Sequence, residues 1–339
     1  MNLKKLIFKL SEADGMGGVK DALKVAEQYL SRYATVEIMG EGTLIGVIKG
    51  KSNHTIMLDA HIDEVGMMVT SVDERGFVKV SAAGGIDSRI LAAMPVHIHS
   101  VPPVIGAFCS TPPHLRKDDD DVCKITEMYI DTGLGEKGID IVSVGDRVTF
   151  LQSPKELMCG RITGKSLDDR AGVAALIEVA HQINDNCVPP CNVAILLSDQ
   201  EELGCRGAKV SAFSVDPDEA IAVDVSFGDM PDIPSNKTGK LDGGAMLGIS
   251  PVLSQEISDK LARLATEKKI PFQYEVMGGH TSTNADVISV AKCGVPCGLL
   301  SIPLRNMHTP VEVISIADVQ SVANIITAYI MAFDGEEQA

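Results

Sequence analysis

The sequence contains no tryptophan, and aromatic residues make up only 4% of its 339 residues. Hydrophobic residues nevertheless account for 45% of the chain. The core must therefore be built from aliphatic side chains, and the chain is long enough for a large core and for more than one average domain.

Basic residues are scarce: 30 Lys and Arg stand against 46 Asp and Glu, which gives a formal net charge of -16. A surface this acidic repels phosphate backbones and anionic lipid, so we expect no nucleic-acid and no membrane partner. No apolar run approaches the length of a membrane span, and Lys9, Glu12 and Asp14 interrupt the only apolar stretch near the N-terminus.

The cysteines are scattered and form no recognisable redox or zinc motif. The closest pairs, Cys187/Cys191 and Cys293/Cys297, match neither a redox pair nor a zinc knuckle in their spacing. We therefore expect reduced, mostly buried thiols and a cytoplasmic location.

Short apolar runs alternate with amphipathic stretches in the first and last parts of the chain. This pattern is typical of an α/β sheet covered on both faces. The predicted helices are 3–32, with a break near Gly15–Gly18, 171–183, 254–268, 283–292 and 316–333, and the predicted strands are 35–39, 44–49, 55–58, 193–198, 220–225, 272–276 and 298–302.

Between residues 69 and 159 the pattern changes to short β-like runs separated by Gly, Pro and Asp. Strands are predicted at 77–80, 96–99, 104–108, 128–130 and 147–150. The acidic run Lys117–Asp121 is interpreted as a solvated loop. We predict a three-layer α/β domain with a mixed central sheet, formed by residues 1–68 and 160–339 and interrupted by a small all-β domain over 69–159.

Polar side chains follow two of the buried strands. His61 and Asp63 come after the strand at 55–58, and their spacing places them on one side of the chain. Glu201 and Glu202 follow the strand at 193–198. Such positions suit a metal site at the carboxyl ends of parallel strands, although a hydrogen-bonded His and a surface acidic turn are the alternatives.

Three further segments supply candidate residues. Asp168 and Asp169 open a predicted helix, where one Asp would serve as a cap but two exceed what a cap needs. Asp224 ends the apolar run 220–223, and His308 follows the strand at 298–302. Two His and three carboxylates suit a pair of borderline divalent cations, namely zinc, with cobalt or manganese as alternatives.

At these residues the chain resembles the M42 family of metallopeptidases. The matching stretches are Asp59–Gly66, Lys165–Gly172, Gln200–Ala208, Val223–Val225, Gly294–Pro296 and Met307–Glu312, together with Val104–Gly106 and Pro112–His114 inside the β unit. The resemblance implies a two-metal aminopeptidase acting on peptides, with the β unit as a dimerisation domain and a twelve-subunit shell as the larger assembly. It implies metal ligation by His61, Asp168, Glu202, Asp224 and His308, with Asp168 bridging, Glu201 as general base and Asp63 orienting His61.

The sequence departs from the family pattern at Asn306, where an aromatic residue is common, and at Asn284, where an acidic residue is expected. The run Lys117–Asp121 is also unusually acidic. A deacylase or a carboxypeptidase could use the same ligand set, and a catalytically silent oligomeric homologue is an alternative of another class. A glycosidase is disfavoured, because such enzymes normally use a carboxylate pair without metal.

Overall fold

The computed structural model describes residues 1–40, 42–115, 122–186 and 188–334. The predicted acidic loop at Lys117–Asp121 and Cys187 lie outside the described residues. The helices are α1 Leu3–Glu12, α2 Asp21–Leu30, α3 Gly138–Ile141, α4 Leu167–Asn186, α5 Arg206–Val215, α6 Gln255–Lys268, α7 Ala285–Ile288 and α8 Ile316–Met331.

The strands divide between a central sheet, a barrel and a small third sheet. They are β1 Thr35–Met39, β2 Thr43–Ile48, β3 Thr55–His61, β4 Gly66–Val72, β5 Val78–Ala83, β6 Pro95–Ile98, β7 Val104–Phe108, β8 Ile130–Asp131, β9 Arg147–Phe150, β10 Lys155–Glu156, β11 Arg161–Gly164, β12 Asn192–Ser198, β13 Glu219–Phe227, β14 Ala245–Ile249, β15 Phe272–Val276, β16 Cys297–Leu304 and β17 Glu312–Ser315.

The central sheet has eight strands in the order β1-β2-β12-β3-β13-β16-β14-β15. Strands β12, β3, β13 and β16 are parallel, so their carboxyl ends meet at one edge, whereas β2 and β14 run antiparallel to this group. Helices α1, α2, α4, α6 and α8 pack on one face of the sheet and α5 and α7 on the other. The predicted fold class, an α/β unit with a mixed central sheet and a separate small all-β unit, is confirmed.

The second unit is a closed barrel in which the strand order is β4-β5-β8-β7-β6-β9. Its interior is filled by aliphatic residues and two phenylalanines, Phe108 and Phe150. Along β6 the buried side chains of Val96 and Ile98 alternate with His97, and the alternation continues to His99 just after the strand, so both histidines face out of the barrel. The third sheet, β10-β11-β17, lies beside the central sheet.

Several predicted elements differ in extent from the structure, and two of them bear on the site. The helix expected at 283–292 is shorter, Ala285–Ile288, because the Asp286 carboxylate accepts the backbone N–H groups of Thr281 and Ser282 and forms a turn before the helix. Strand β13 continues past Asp224 to Phe227, because its pairing with β16 extends that far. Asp224 therefore lies within a strand rather than at its end. No helix among the described residues combines the length and apolarity that crossing a membrane requires.

Candidate metal centre

The predicted site residues come from separate elements that meet at the carboxyl edge of the central sheet. His61 is the last residue of β3, Asp168 lies at the start of α4, and Asp224 belongs to β13. Glu202 lies in the turn after β12, and His308 in the loop between β16 and β17. The parallel register of β3, β12 and β13 explains this convergence, because their carboxyl ends share one edge.

The Asp168 carboxylate lies between the two imidazoles. Its Oδ1 is 3.0 Å from His61 Nε2, and its Oδ2 is 3.3 Å from His308 Nε2. The peptide bond from Asp168 to Asp169 is cis, and both residues depart from helical dihedral angles. By the two distances, Asp168 presents a different oxygen to each histidine, which is the arrangement of a carboxylate that bridges two cations.

A further carboxylate lies beside each imidazole. Asp224 Oδ1 is 3.9 Å from His61 Nε2, and Glu202 Oε1 is 3.3 Å from His308 Nε2. On the other side of its ring, His61 Nδ1 is 3.4 Å from Asp63 Oδ1. The Asp63 carboxylate is held in turn by the backbone N–H groups of Glu201 and Glu202, at 3.0 Å and 3.3 Å. These contacts fix the orientation of the ring.

The distances suit divalent metal ions. Ligand atoms bound tetrahedrally at about 2.0–2.2 Å from zinc are separated from one another by about 3.3 Å. The separations around Asp168 are 3.0 Å and 3.3 Å, and ligand atoms of His61, Asp168 and Glu202 all lie within 4.8 Å of one another. Imidazole nitrogens and carboxylate oxygens are the ligands that zinc, cobalt and manganese accept, so the residues present fit the expected ions.

The electrostatics of the site are those of a cation-binding centre. Burial acts to raise the pKa of Asp168, but hydrogen bonds from His308 and His61 hold it well below the usual range. Burial acts to lower the pKa of His308, yet the contacts with Asp168 and Glu202 raise it to about 11. Burial raises the pKa of Asp224 well above normal. A divalent cation held here would replace the protons on these imidazoles, so its binding would release protons.

Glu201 is close to this centre but contributes to neither of the carboxylate–imidazole pairs. Its backbone N–H donates to Asp63, and its Oε1 lies 3.4 Å from Cys205 Sγ. Burial and the neighbouring Glu202 and Asp63 raise the pKa of the Glu201 carboxyl, against the lowering effect of His61. A carboxylate with a raised pKa is better matched to accepting a proton near neutral pH.

Glu312 was not predicted as a site residue, but it connects two of the ligand-bearing segments. Its side chain is buried, with Oε1 accepting the backbone N–H of His308 at 2.8 Å and Oε2 accepting those of Leu167 and Asp168 at 2.7 Å and 3.2 Å. Burial and the charge of Asp168 raise the pKa of Glu312 well above normal. The Met307–Glu312 match to the family contained this residue, but its role depends on contacts distant in sequence.

Glu64 organises a second buried network behind the site. Its carboxylate accepts hydrogen bonds from Lys165 Nζ at 2.7 Å and from Arg170 Nη2 at 3.1 Å. It also accepts the backbone N–H of Gly15 at 2.8 Å and the Ser166 hydroxyl. Burial acts to raise the pKa of Glu64, but Lys165 and Arg170 lower it overall. This network fixes the start of α4, and with it Asp168.

The two asparagines that depart from the family pattern have structural roles. Asn284 is buried, and its Nδ2 donates to Asp59 Oδ2 at 2.7 Å and to Ser198 Oγ at 2.9 Å. Asn306 has a φ of 58°, a left-handed conformation that Asn tolerates better than most residues, and its Nδ2 donates to the Val311 carbonyl at 3.1 Å. Asn306 therefore closes the loop that carries His308.

Comparison with known proteins identifies the family of this chain. The family model for M42 glutamyl aminopeptidase matches residues 42–325. The chain belongs to the M42 family of aminopeptidases. The lysyl aminopeptidase of Pyrococcus furiosus is 31% identical over 345 residues, which span 95% of this chain and 94% of that protein.

Solved structures of TET-type M42 peptidases have the same fold. The TET aminopeptidase of a marine sediment thaumarchaeote superposes with a TM-score of 0.93 and 28% identity, covering 98% of this chain and 97% of that one. The TET1 peptidase of Pyrococcus horikoshii, described as assembling into a tetrahedron or a large octahedral shell, gives a TM-score of 0.87 at 26% identity, covering 98% of this chain and all of the other.

Proposed function

We propose that this M42 protein is a two-metal aminopeptidase that removes residues from the N-termini of peptides. One observation carries the proposal: each Asp168 oxygen faces a different imidazole. His61 and Asp224 would hold one divalent ion, Glu202 and His308 the other, and Asp168 would bridge them. Zinc fits this ligand set best, and cobalt and manganese are alternatives.

The reaction is a hydrolysis in which Glu201 acts as the general base and then as the general acid. When bound, the paired ions polarise the scissile carbonyl and lower the pKa of an attacking water. The Glu201 carboxylate accepts a proton from that water and delivers it to the leaving amine. Asp63 positions the His61 ring and, through the Glu201 and Glu202 backbone, sets the location of the base.

The test compares peptides with free and with N-acetylated termini, together with free aminoacyl substrates assayed in turn with zinc, cobalt and manganese. An aminopeptidase loses activity on acetylation, because the free amine is part of what it recognises. Undiminished activity on the acetylated peptides would exclude the aminopeptidase function and favour a deacylase or carboxypeptidase. Bound metal without hydrolysis of any substrate would favour a catalytically silent homologue.

We also propose that residues 69–159 form a domain through which copies of the chain dimerise, and that the dimers assemble further into a dodecamer. The described part of the barrel exposes large apolar side chains, among them Val101, Ile105 and Val144, which suit a partner surface. Light scattering on the purified chain tests the assembly, and a monomer at assay concentration would contradict it. A cytosolic location is consistent with the free thiols found among the described cysteines, although the expectation that these thiols are buried is wrong for Cys109, Cys123, Cys159 and Cys293, which are exposed.

A further inference from the structure

A second group of metal-ligating side chains lies outside the catalytic centre, where the barrel meets the α/β unit. It consists of Asp14, in the segment between α1 and α2, of His97 on the outer face of β6, and of His99, which directly follows β6. In the described part of the chain, these residues and the His61 centre are the groups whose ligand atoms all lie within 4.8 Å of one another. We propose that Asp14, His97 and His99 bind a further divalent transition-metal ion that fastens the barrel to the catalytic unit.

The distances among Asp14, His97 and His99 match those expected between ligands of a single metal ion. The Asp14 Oδ2 atom is 2.8 Å from His97 Nδ1 and 3.7 Å from His99 Nε2. These values bracket the separation of about 3.3 Å expected between ligands of one tetrahedral zinc ion. The two imidazole rings lie with their centroids 4.3 Å apart, so both nitrogens reach the same carboxylate oxygen. Two histidines and an aspartate leave a fourth position for water.

The two carboxylate oxygens of Asp14 have different partners, and this arrangement favours metal binding. Lys165 Nζ contacts Asp14 Oδ1 at 3.0 Å, which leaves Oδ2 to the histidines. The Lys165 charge is shared with Glu64, at 2.7 Å, so it does not face the group uncompensated. Burial acts to raise the pKa of Asp14, but Lys165 and His97 bring it to about 2, so this ligand is ionised. Burial lowers the pKa of His99, which keeps a lone pair available.

Each histidine of this group makes one hydrogen bond in the metal-free structure, and a bound ion would replace both bonds. His97 Nδ1 is within hydrogen-bond distance of Asp14 Oδ2, at 2.8 Å, and His99 Nε2 lies 2.9 Å from the Thr149 hydroxyl. The ion takes the place of both hydrogen bonds and joins a loop of the catalytic unit directly to a strand of the barrel. The side chains are only 14% to 28% exposed, so the site is partly shielded yet open to solvent from His97. The role we assign to this ion is structural and separate from hydrolysis.

The test counts ions in a variant that keeps the hydrogen bonds but loses the metal ligands. In the double variant His97→Asn/His99→Gln, the amide groups occupy the positions of Nδ1 and Nε2. The wild-type chain, dialysed against zinc or cobalt, should retain about one more ion per chain than this variant. The exposed His114→Asn serves as the control and should match the wild type. Added zinc should also raise the unfolding temperature of the wild type more than that of the double variant.

Equal ion content in the wild type and the double variant, at a metal concentration that fills the catalytic centre, would overturn the proposal. If the double variant does not fold, anomalous diffraction from zinc-soaked wild-type crystals decides the question. A peak between Asp14, His97 and His99 supports the site. Loaded catalytic ligands with no peak at the junction would refute it.

Discussion

Glu312 offers a sharp test, because its role follows from the structure and from no single motif. We consider Glu312→Gln, which preserves size and removes one acceptor oxygen. The native carboxylate accepts three backbone N–H groups, from His308, Leu167 and Asp168. If the amide oxygen of Gln takes the position that serves Leu167 and Asp168, its NH₂ group faces the His308 N–H, and two donors then oppose each other.

The magnitude follows from the donor left without an acceptor. A buried unsatisfied N–H costs about 1–3 kcal/mol, and this donor is on the residue that the loop must present to the metal. We therefore expect a loss of about 1–3 kcal/mol in the free energy of unfolding. Loss of a group that supports a metal ligand typically weakens metal binding about 10–100-fold, and we expect this at the ion held by Glu202 and His308.

Two assays check the prediction: urea unfolding of the metal-free chain, and competition with a chelating indicator for the bound ions. Glu74→Gln, at an exposed turn residue, controls for loss of a carboxylate. A Glu312→Gln chain with the stability and the metal affinity of the control would refute the role given to Glu312.

Further predictions concern the base and two buried carboxyls. Glu201→Gln should lower kcat by about 10²–10⁴ with metal content unchanged; full turnover with metal bound would disprove the assignment. Glu64→Gln removes the negative charge that pairs with the buried positive charges of Lys165 and Arg170, and urea unfolding should show a loss of about 3–5 kcal/mol in the free energy of unfolding. A loss below about 1 kcal/mol would contradict this. Burial raises the pKa of Asp59 to about 7. Between about pH 4 and 7, the folded metal-free chain therefore keeps this proton while the unfolded chain releases it. The free energy of unfolding of the wild type, relative to that of Asp59→Asn, should fall as pH rises through that window, by up to about 1.4 kcal/mol per pH unit. An unchanged difference across the window would contradict the raised pKa.

The sequence predicted the parts of the site that depend on chain order along the strands. His61 and Glu202 follow buried apolar runs, and the carboxyl ends of parallel strands meet at one edge wherever such runs share a sheet. The same pattern placed Asp224 on β13 but ended the strand too early, because the polar Ser226 interrupts the apolar run although the pairing with β16 continues to Phe227.

The supporting contacts could not be predicted in this way. Glu312 reaches the backbone of Leu167, 145 residues away along the chain, and nothing in the local sequence indicates that separation. Asn284 is noticeable only as a departure from a pattern, and its contact with Asp59 spans 225 residues. Such contacts are set by how the elements pack, which short-range periodicity does not encode.

The central claim is that Asp168 bridges two ions, and anomalous diffraction at the metal edge of zinc-loaded crystals tests it most directly. The account predicts two peaks flanking the Asp168 carboxylate. One should lie within about 2.0–2.2 Å of His61 Nε2 and the other within the same distance of His308 Nε2. A single ion shared by both imidazoles, or two ions that leave Asp168 unligated, would contradict it.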